Sequence, residues 1–135
     1  MIDVRPIVLD ASIGVKWIKP SEEGADQALA LLAEHRDHTA RIVVSTHFVT
    51  ETVGVAVRHG GPRLGARTWQ LLRAADLTVI GLDDEVVAAA LGQCQLLGCC
   101  FFDALAPALA TMLDATLYSA DRCAHERFPG VVLLG

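Results

Sequence analysis

Four carboxylates in this sequence could act together in one chemical site, and strand ends place two of them. Asp10 follows the apolar segment 6–9, and Asp121 follows the segment 117–120. Both segments are predicted to contain strands, the first of them buried. Sites in an open parallel sheet form outside the carboxyl ends of its strands. If these two strands are adjacent, the sequence predicts that Asp10 and Asp121 meet at one edge of the sheet.

Glu51 and Asp103 are the other two carboxylates, and both lie near the start of a predicted helix. Glu51 is in the first turns of a helix predicted over 47–58, soon after a β-branched run, which directs it toward the same edge. Asp103 is predicted to open a helix over 103–113. A carboxylate at a helix start also stabilises the helix as a cap or through the helix dipole. Asp103 is therefore interpreted either as a site residue or as a structural cap.

Most of the other acidic residues are explained without a chemical role. Glu34 and Asp37 are predicted on solvated helix surface. Others fall in the first turns of predicted helices, where the helix dipole favours negative charge: Glu22, Glu23, Asp83, Asp84 and Glu85. This sorting leaves the four carboxylates above without a structural explanation.

A cluster of these four carboxylates is expected only with a bound cation. Each close pair repels by about 4 kcal/mol at an effective dielectric of about 20, whereas a domain is stabilised by only about 5–15 kcal/mol. Oxygen ligands select hard cations, so Mg²⁺ is the expected ion and Mn²⁺ the alternative. Such an ion activates water and neutralises charge on a phosphodiester. The predicted chemistry is phosphodiester hydrolysis at a metal site formed by Asp10, Glu51, Asp103 and Asp121.

The elements that must position this site alternate along the chain. Apolar or β-branched runs predict strands at 6–9, 42–44, 77–82, 117–118 and 131–134, and helical patterns separate most of them. Strands that alternate with helices form a parallel sheet covered on both faces. At 135 residues, the chain has room for one compact domain. We therefore predict a single three-layer α/β/α domain over 1–135, with a parallel sheet of four to five strands.

The composition favours an enzyme with a buried partner interface over a passive nucleic-acid coat. Hydrophobic residues make up 53% of the chain, and the mean hydropathy is +0.42. A small monomer rarely covers this much apolar surface by itself. The formal charge is −5, with 16 acidic against 11 basic residues, whereas a coating protein normally carries a basic face.

The cysteines, at positions 94, 99, 100 and 123, form no CxxC pair and have no zinc-finger spacing. No secretion signal is recognisable at the N-terminus, so we expect the reducing cytoplasm, where cysteines usually act as small buried hydrophobic residues. No apolar run approaches the roughly 20 residues that cross a bilayer. No membrane partner is expected.

Segments along the whole chain resemble, in order, those of PIN-domain nucleases, and in particular the VapC-type toxins of prokaryotic toxin–antitoxin pairs. The segments that carry this resemblance are Val8-Leu9-Asp10-Ala11-Ser12, Phe48-Val49-Thr50-Glu51, Phe102-Asp103-Ala104-Leu105 and Ser119-Ala120-Asp121-Arg122. Each one contains one of the four carboxylates. No single segment is specific, but the order and context of the four acids together indicate this family.

The resemblance implies a Mg²⁺- or Mn²⁺-dependent endoribonuclease, commonly a homodimer, that a cognate VapB-type antitoxin holds inactive. By position, Asp10, Glu51, Asp103 and Asp121 would hold the metal and orient water. Ser12 would support the site by hydrogen bonding a water molecule or a neighbouring carboxylate. Its alternative role is to cap the short helix after the first strand.

Three positions depart from the family pattern. Gly54 stands where an asparagine is common, and the pair Cys99-Cys100 replaces a more polar approach to Asp103. Pro107 stands four residues after Asp103, where a helix-forming residue is usual. A proline inside a helix removes a backbone hydrogen bond. We therefore expect this helix to start late or to have a loose first turn.

Two other functions are less well supported by the sequence than a nuclease. A phospho-receiver domain needs a lysine near the end of a late strand, but Lys16 and Lys19 are the only lysines in the chain. A catalytically silent PIN scaffold that binds RNA or protein would have no reason to retain four mutually repelling acids. Catalysis is therefore the preferred interpretation.

Some further residues have open interpretations. His35 and His38 could bind a metal, although histidines near a helix end more often bond its last carbonyls. Arg63 and Arg67 could contact phosphates or lie on a solvated face. The two tryptophans, Trp17 and Trp69, are interpreted as core or interface anchors rather than as stacking platforms for bases.

Overall fold

The computed structural model describes residues 4–135. Within this range the chain forms five strands and six helices, in the order β1 Arg5–Leu9, α1 Ala11–Ile18, α2 Ala25–Arg36, β2 Ala40–Ser45, α3 Thr46–Ala75, β3 Thr78–Ile80, α4 Asp84–Leu97, α5 Phe101–Leu113, β4 Thr116–Ser119, α6 Arg122–His125 and β5 Val132–Leu133.

The five strands form one parallel sheet in the order β3-β2-β1-β4-β5. Leu9 pairs with Tyr118, so β1 and β4 are adjacent and end at the same edge. The chain builds the sheet outward from β1 to β3 and then returns to the other side of β1 with β4. The boundary between β1 and β4 is therefore the switch in strand order, where open α/β sheets form their sites.

Alternate residues of β1 enter two separate cores, one on each face of the sheet. Ile7 and Leu9 pack in a cluster that includes Phe48 of α3 and residues of α1 and α2. Val8 packs on the opposite face in a cluster that includes Leu109 of α5 and residues of α4. Because the strand is buried on both faces, it is apolar at every position from Ile7 to Leu9. The predicted three-layer α/β/α arrangement is confirmed.

Two helices differ in extent from the predictions. The helix predicted over 47–58 continues through Gly60-Gly61 to Ala75 in α3, with a break at Gly61, whose φ is +79° and ψ is −177°. Helix α5 begins at Phe101, two residues before its predicted start, so the prediction that Asp103 opens the helix is wrong. Gly98 ends α4 in the left-handed conformation, and the extended Cys100 then serves as the N-cap of α5. Asp103 is therefore the third residue of the helix.

The helix lengths and hydropathies bear on membrane insertion. Among residues 4–135, no single helix is long and apolar enough to cross a membrane. Helices α4 and α5 meet the length and composition criteria only as a pair, and that pair is bent by 109°.

Candidate active site

A cleft of about 650 Å³ at the carboxyl edge of the sheet brings together all of the predicted site residues. Its lining includes Asp10, Ser12, Glu51, Asp103 and Asp121. Residues that follow β1 and β4 form part of the wall, and the N-terminal turns of α3 and α5 supply the rest. The cleft is thus located at the switch in strand order.

Asp10 is fixed by the helix that follows it. The backbone N–H of Asp10 donates to the carbonyl of Tyr118 at 3.0 Å, which continues the pairing of β1 with β4. Its carboxylate is the N-cap of α1: Oδ2 accepts from the Ser12 backbone N–H at 3.0 Å and from the Ser12 hydroxyl at 2.6 Å. The cap of this helix is therefore Asp10, and Ser12 instead supports the Asp10 carboxylate. Asp10 is only 8% exposed, so this orientation is held inside the protein.

Two serine hydroxyls fix the loop that carries Asp121. Ser12 Oγ accepts from the Ala120 backbone N–H at 2.9 Å, and Ser119 Oγ accepts from the Asp121 N–H at 3.0 Å. The Asp121 carboxylate caps α6 by accepting from the N–H of Ala124 at 3.1 Å. Asp10 and Asp121 therefore each use one oxygen as a helix cap, and their second oxygens accept no hydrogen bond from any residue in the range 4–135.

The backbone of Asp103 is held by a histidine that replaces a missing helical hydrogen bond. Pro107 lies inside α5 and has no N–H to donate to the Asp103 carbonyl. The fully buried His125 lies with Nε2 at 2.6 Å from that carbonyl oxygen. A carbonyl only accepts, so Nε2 carries a proton, and Nδ1 lies 2.7 Å from Ser119 Oγ. The expected late or loose start of α5 is wrong because His125 satisfies the carbonyl that Pro107 leaves open.

Glu51 reaches the cleft from α3 and forms an ion pair at the protein surface. It lies in the second turn of the helix, and its Oε1 is 3.6 Å from Nη2 of Arg58. Both side chains are well exposed, at 43% for Glu51 and 68% for Arg58, so this ion pair is weak. Glu51 can therefore exchange Arg58 for another cation at little cost.

The cleft is acidic as a whole. Its ionisable lining has two cations, Lys16 and Arg122, and more acids, namely Asp10, Glu22, Glu51, Asp103 and Asp121. Lys16 is 4% exposed and is already engaged, because its Nζ donates to Glu22 Oε1 at 3.1 Å and to the backbone carbonyl of Glu23. Arg122 makes no ion pair within the described part of the chain. An added cation would therefore be attracted to this cleft.

A family model for the PIN domain matches residues 7–128. The chain belongs to the PIN domain family. Its fold also matches solved structures at 17% identity. A toxin–antitoxin complex from Klebsiella pneumoniae superposes with a TM-score of 0.71 over 93% of this chain and 95% of that chain. VapC20 from Mycobacterium tuberculosis gives a TM-score of 0.72 over 93% and 98%. VapBC2 from Rickettsia felis gives 0.70 over 95% and 96%. No curated protein sequence matches the chain significantly.

The PIN domain has a donor set that fits a hydrated Mg²⁺ better than a fully enclosed ion. Across residues 4–135, no group of three or more His, Cys, Asp or Glu side chains is close enough to hold a metal directly. Mg²⁺ usually binds through one or two carboxylates and keeps several waters, so it does not need such a group. The acidic residues of the cleft supply oxygen ligands, with His47 also in the lining, and the Asp103 carboxylate accepts no hydrogen bond within the described range. The residues present therefore fit Mg²⁺ or Mn²⁺.

Cys99 lies near Asp103, and its surroundings disfavour the ionised thiol. Burial raises the pKa of the Cys99 thiol, and the nearby Cys94 and Asp103 raise it further. The thiolate is the form that binds metals and attacks electrophiles. Because the neutral thiol is favoured here, Cys99 acts as a small packing residue next to the core.

Four residues around the cleft carry no role in the sequence-based predictions. Ser119 and His125 flank Asp121 in the chain, and their network is formed by contacts between distant segments. His47 and Phe102 line the cleft and stack on each other. Sequence reasoning could have found Ser119 and Phe102 only through their proximity to a candidate acid. No feature of the sequence singles out His47 or His125 as a functional residue.

The other residues whose roles the sequence left open lie outside the cleft. His35 Nδ1 accepts from the Ile42 N–H at 3.0 Å, and its Nε2 is 2.8 Å from the carbonyl of Ala75, so both nitrogens are used structurally. Neither Arg63 nor Arg67 lines the acidic cleft. Trp17 donates to the carbonyl of Ala28 and packs edge-on against Phe48, which confirms it as a core residue. Trp69 is 48% exposed.

Proposed function

We propose that this PIN domain, acting as a single unit over 1–135, is a Mg²⁺-dependent endoribonuclease that also accepts Mn²⁺. The observation that carries the proposal is the acidic cleft at the strand switch, which Asp10, Glu51, Asp103 and Asp121 line together with Ser12. Membership of the PIN family supports the reaction class, and the predominance of carboxylate oxygens among the possible ligands supports the choice of metal.

In this proposal, the ion is held by Asp10, Asp103 and Asp121. Glu51 is the fourth acidic ligand and orients the attacking water. A bound Mg²⁺ supplies positive charge to the scissile phosphate and makes water more acidic. Ser12 keeps the Asp10 carboxylate in place through the 2.6 Å hydrogen bond. Arg122, exposed on the cleft wall, can contact the phosphate of the substrate.

We further propose that the nuclease is the toxin of a toxin–antitoxin pair, with a VapB-type antitoxin as partner. The matched structures include toxin–antitoxin complexes, and VapC20 is a toxin that cleaves the sarcin–ricin loop. A homodimer is consistent with the exposed apolar side chains of α4, where Leu91 is 57% and Leu96 is 71% exposed. The four free cysteines are consistent with action in the reducing cytoplasm.

The test is RNA cleavage by the purified chain with Mg²⁺, with Mn²⁺ and with excess EDTA, using both a folded tRNA and an unstructured RNA. Loss of a supporting partner of a metal ligand costs about 10- to 100-fold, so Asp10→Asn, Asp103→Asn and Asp121→Asn should each reduce cleavage by at least about 100-fold. Asp114→Asn is the matched control, because Asp114 is exposed and lies outside the cleft. Equal cleavage by the wild type and Asp10→Asn, or no cleavage by either, would refute the nuclease proposal.

A further inference from the structure

A pair of aromatic rings, one of them well exposed, forms part of the wall of the acidic cleft. His47 is the second residue of α3 and Phe102 the second residue of α5. Their ring centroids are 4.9 Å apart and their planes differ by 26°, so the rings stack. Phe102 remains 59% exposed, whereas its neighbour Phe101 is partly buried and packs against the core. Folding therefore gains little from the Phe102 ring, which is left available to a ligand in the cleft.

The charge of the cleft limits how it can bind a nucleic acid. Proteins that bind nucleic acids through the phosphates use clusters of Lys and Arg. Here the acids outnumber the two cations, and Lys16 is committed to Glu22 and Glu23. Apart from Arg122 and a bound metal ion, binding then draws on contacts that do not depend on phosphate charge. Stacking of bases on aromatic side chains is such a contact, and it is available only to bases that are unpaired or can be displaced from a helix.

We propose that the His47–Phe102 pair is a stacking platform for an unpaired nucleobase of the substrate, next to the scissile phosphate. The inference rests on the proposed nuclease function, because it takes RNA as the ligand of the cleft. Phe102 and Asp103 line the same cleft, so a base stacked on the Phe102 ring would lie in the cleft that contains the carboxylates. The substrate class is therefore single-stranded or looped RNA, and a continuous duplex is excluded because its base faces are already stacked.

The first test measures binding without cleavage. In the Asp10→Asn background, a fluorescently labelled single-stranded oligoribonucleotide is titrated against Phe102→Leu and Phe102→Trp. Stacking contributions measured in other proteins correspond to about a 5- to 150-fold loss of affinity for Phe102→Leu. Phe102→Trp should retain the affinity. Trp69→Leu is the matched control, because Trp69 is also an exposed aromatic residue but does not line the cleft.

The second test changes the RNA and then combines that change with Phe102→Leu. An abasic nucleotide is moved along the oligoribonucleotide, and one position should lose as much affinity as Phe102→Leu does. At that position, the abasic change and Phe102→Leu should not add, because both remove the same contact. Equal affinity of Phe102→Leu and the Asp10→Asn parent, or additive losses at every position, would overturn the platform. A change in oligomeric state with no change in RNA affinity would overturn it as well, and would assign the pair to a protein interface.

The outcomes separate this inference from the proposed function. Cleavage that depends on Asp10 but not on Phe102 supports the nuclease and overturns the platform. RNA binding that depends on Phe102, in a protein that cleaves no RNA with either metal, supports the platform and refutes the nuclease. If both hold, Phe102→Leu should raise the RNA concentration for half-maximal cleavage by about the same factor as the loss of affinity.

Discussion

Ser12 contacts both strand ends that form the cleft. Its hydroxyl donates to Asp10 and accepts from the N–H of Ala120, so one oxygen joins the loop after β1 to the loop after β4. Ser119 Oγ lies 3.4 Å from Ser12 Oγ and 2.7 Å from His125 Nδ1. Because the Ser12 hydroxyl is hydrogen-bonded on both sides, it is held against the Asp10 carboxylate.

Replacing this hydroxyl should weaken metal use more than it weakens the fold. Ser12→Ala removes the 2.6 Å bond to Asp10 and leaves the Ala120 N–H without its acceptor. We expect cleavage to fall by about 10- to 100-fold and the half-saturating Mg²⁺ concentration to rise. A Mg²⁺ titration of cleavage rate measures both effects, with the exposed Ser21→Ala as the control. Wild-type cleavage and Mg²⁺ dependence in Ser12→Ala would contradict the supporting role.

At the scale of the elements, α5 and α6 are joined by the bond between His125 and the Asp103 carbonyl. Pro107 makes this bond necessary, since an ordinary residue at 107 would bond that carbonyl within the helix. His125→Ala leaves the carbonyl and Ser119 Oγ with unmet hydrogen bonds and opens a cavity. We expect a loss of about 2–4 kcal/mol in the free energy of unfolding, measured by urea denaturation.

The dependence on Pro107 can be measured with a double-mutant cycle. In Pro107→Ala, the new N–H can bond the Asp103 carbonyl, so His125→Ala should cost less in that background than in the wild type. A coupling of about 0.5–3 kcal/mol is expected for residues that share one partner. His59→Ala, an exposed histidine on α3, is the control for loss of an imidazole. Strictly additive effects of the two substitutions would show that His125 does not compensate for the proline.

Helices α1 and α3 approach each other closely at Gly14, and this contact sets the distance between two sides of the cleft. A Cβ at Gly14 would lie 2.4 Å from Thr52 Oγ1 and 2.8 Å from Phe48 Cζ. Gly14→Ala should therefore lower the free energy of unfolding by about 1–3 kcal/mol through overpacking. Gly92→Ala on α4 is the matched control, because nothing lies within 4 Å of its added Cβ. There the same change should stabilise by up to about 1 kcal/mol. Thermal or urea unfolding of both variants measures the contrast, and equal effects would contradict it.

For the whole molecule, the hydrophobic pattern predicted the sheet and the placing of two acids. Asp10 and Asp121 are fixed by strand ends, and strand ends follow from local apolar runs such as Val8 and its neighbours. The position of Asp103 within its helix was predicted less accurately, because the start of that helix depends on Gly98 and Cys100, which carry weak local signals. The contacts of His125 could not be predicted, since they join residues 22 positions apart and exist only after α5 and α6 pack together. Local pattern therefore predicts where the acids lie, and long-range packing decides how they are held.

The toxin proposal concerns the molecule as a whole and needs a test in cells. If the chain cleaves an RNA that growth requires, induced expression of the wild type should arrest growth of a bacterial host, whereas Asp10→Asn expressed to the same level should not. If a small gene lies beside the gene for this chain, co-expression of its product should restore growth of the wild-type strain, because an antitoxin acts by binding the toxin. Colony counts and culture density measure the arrest, and immunoblotting controls for protein level.

Unimpeded growth at matched expression would contradict the toxin role, whereas the nuclease activity would still be decided by the cleavage assay. Arrest by Asp10→Asn as well would mean that growth inhibition does not come from the acidic cleft.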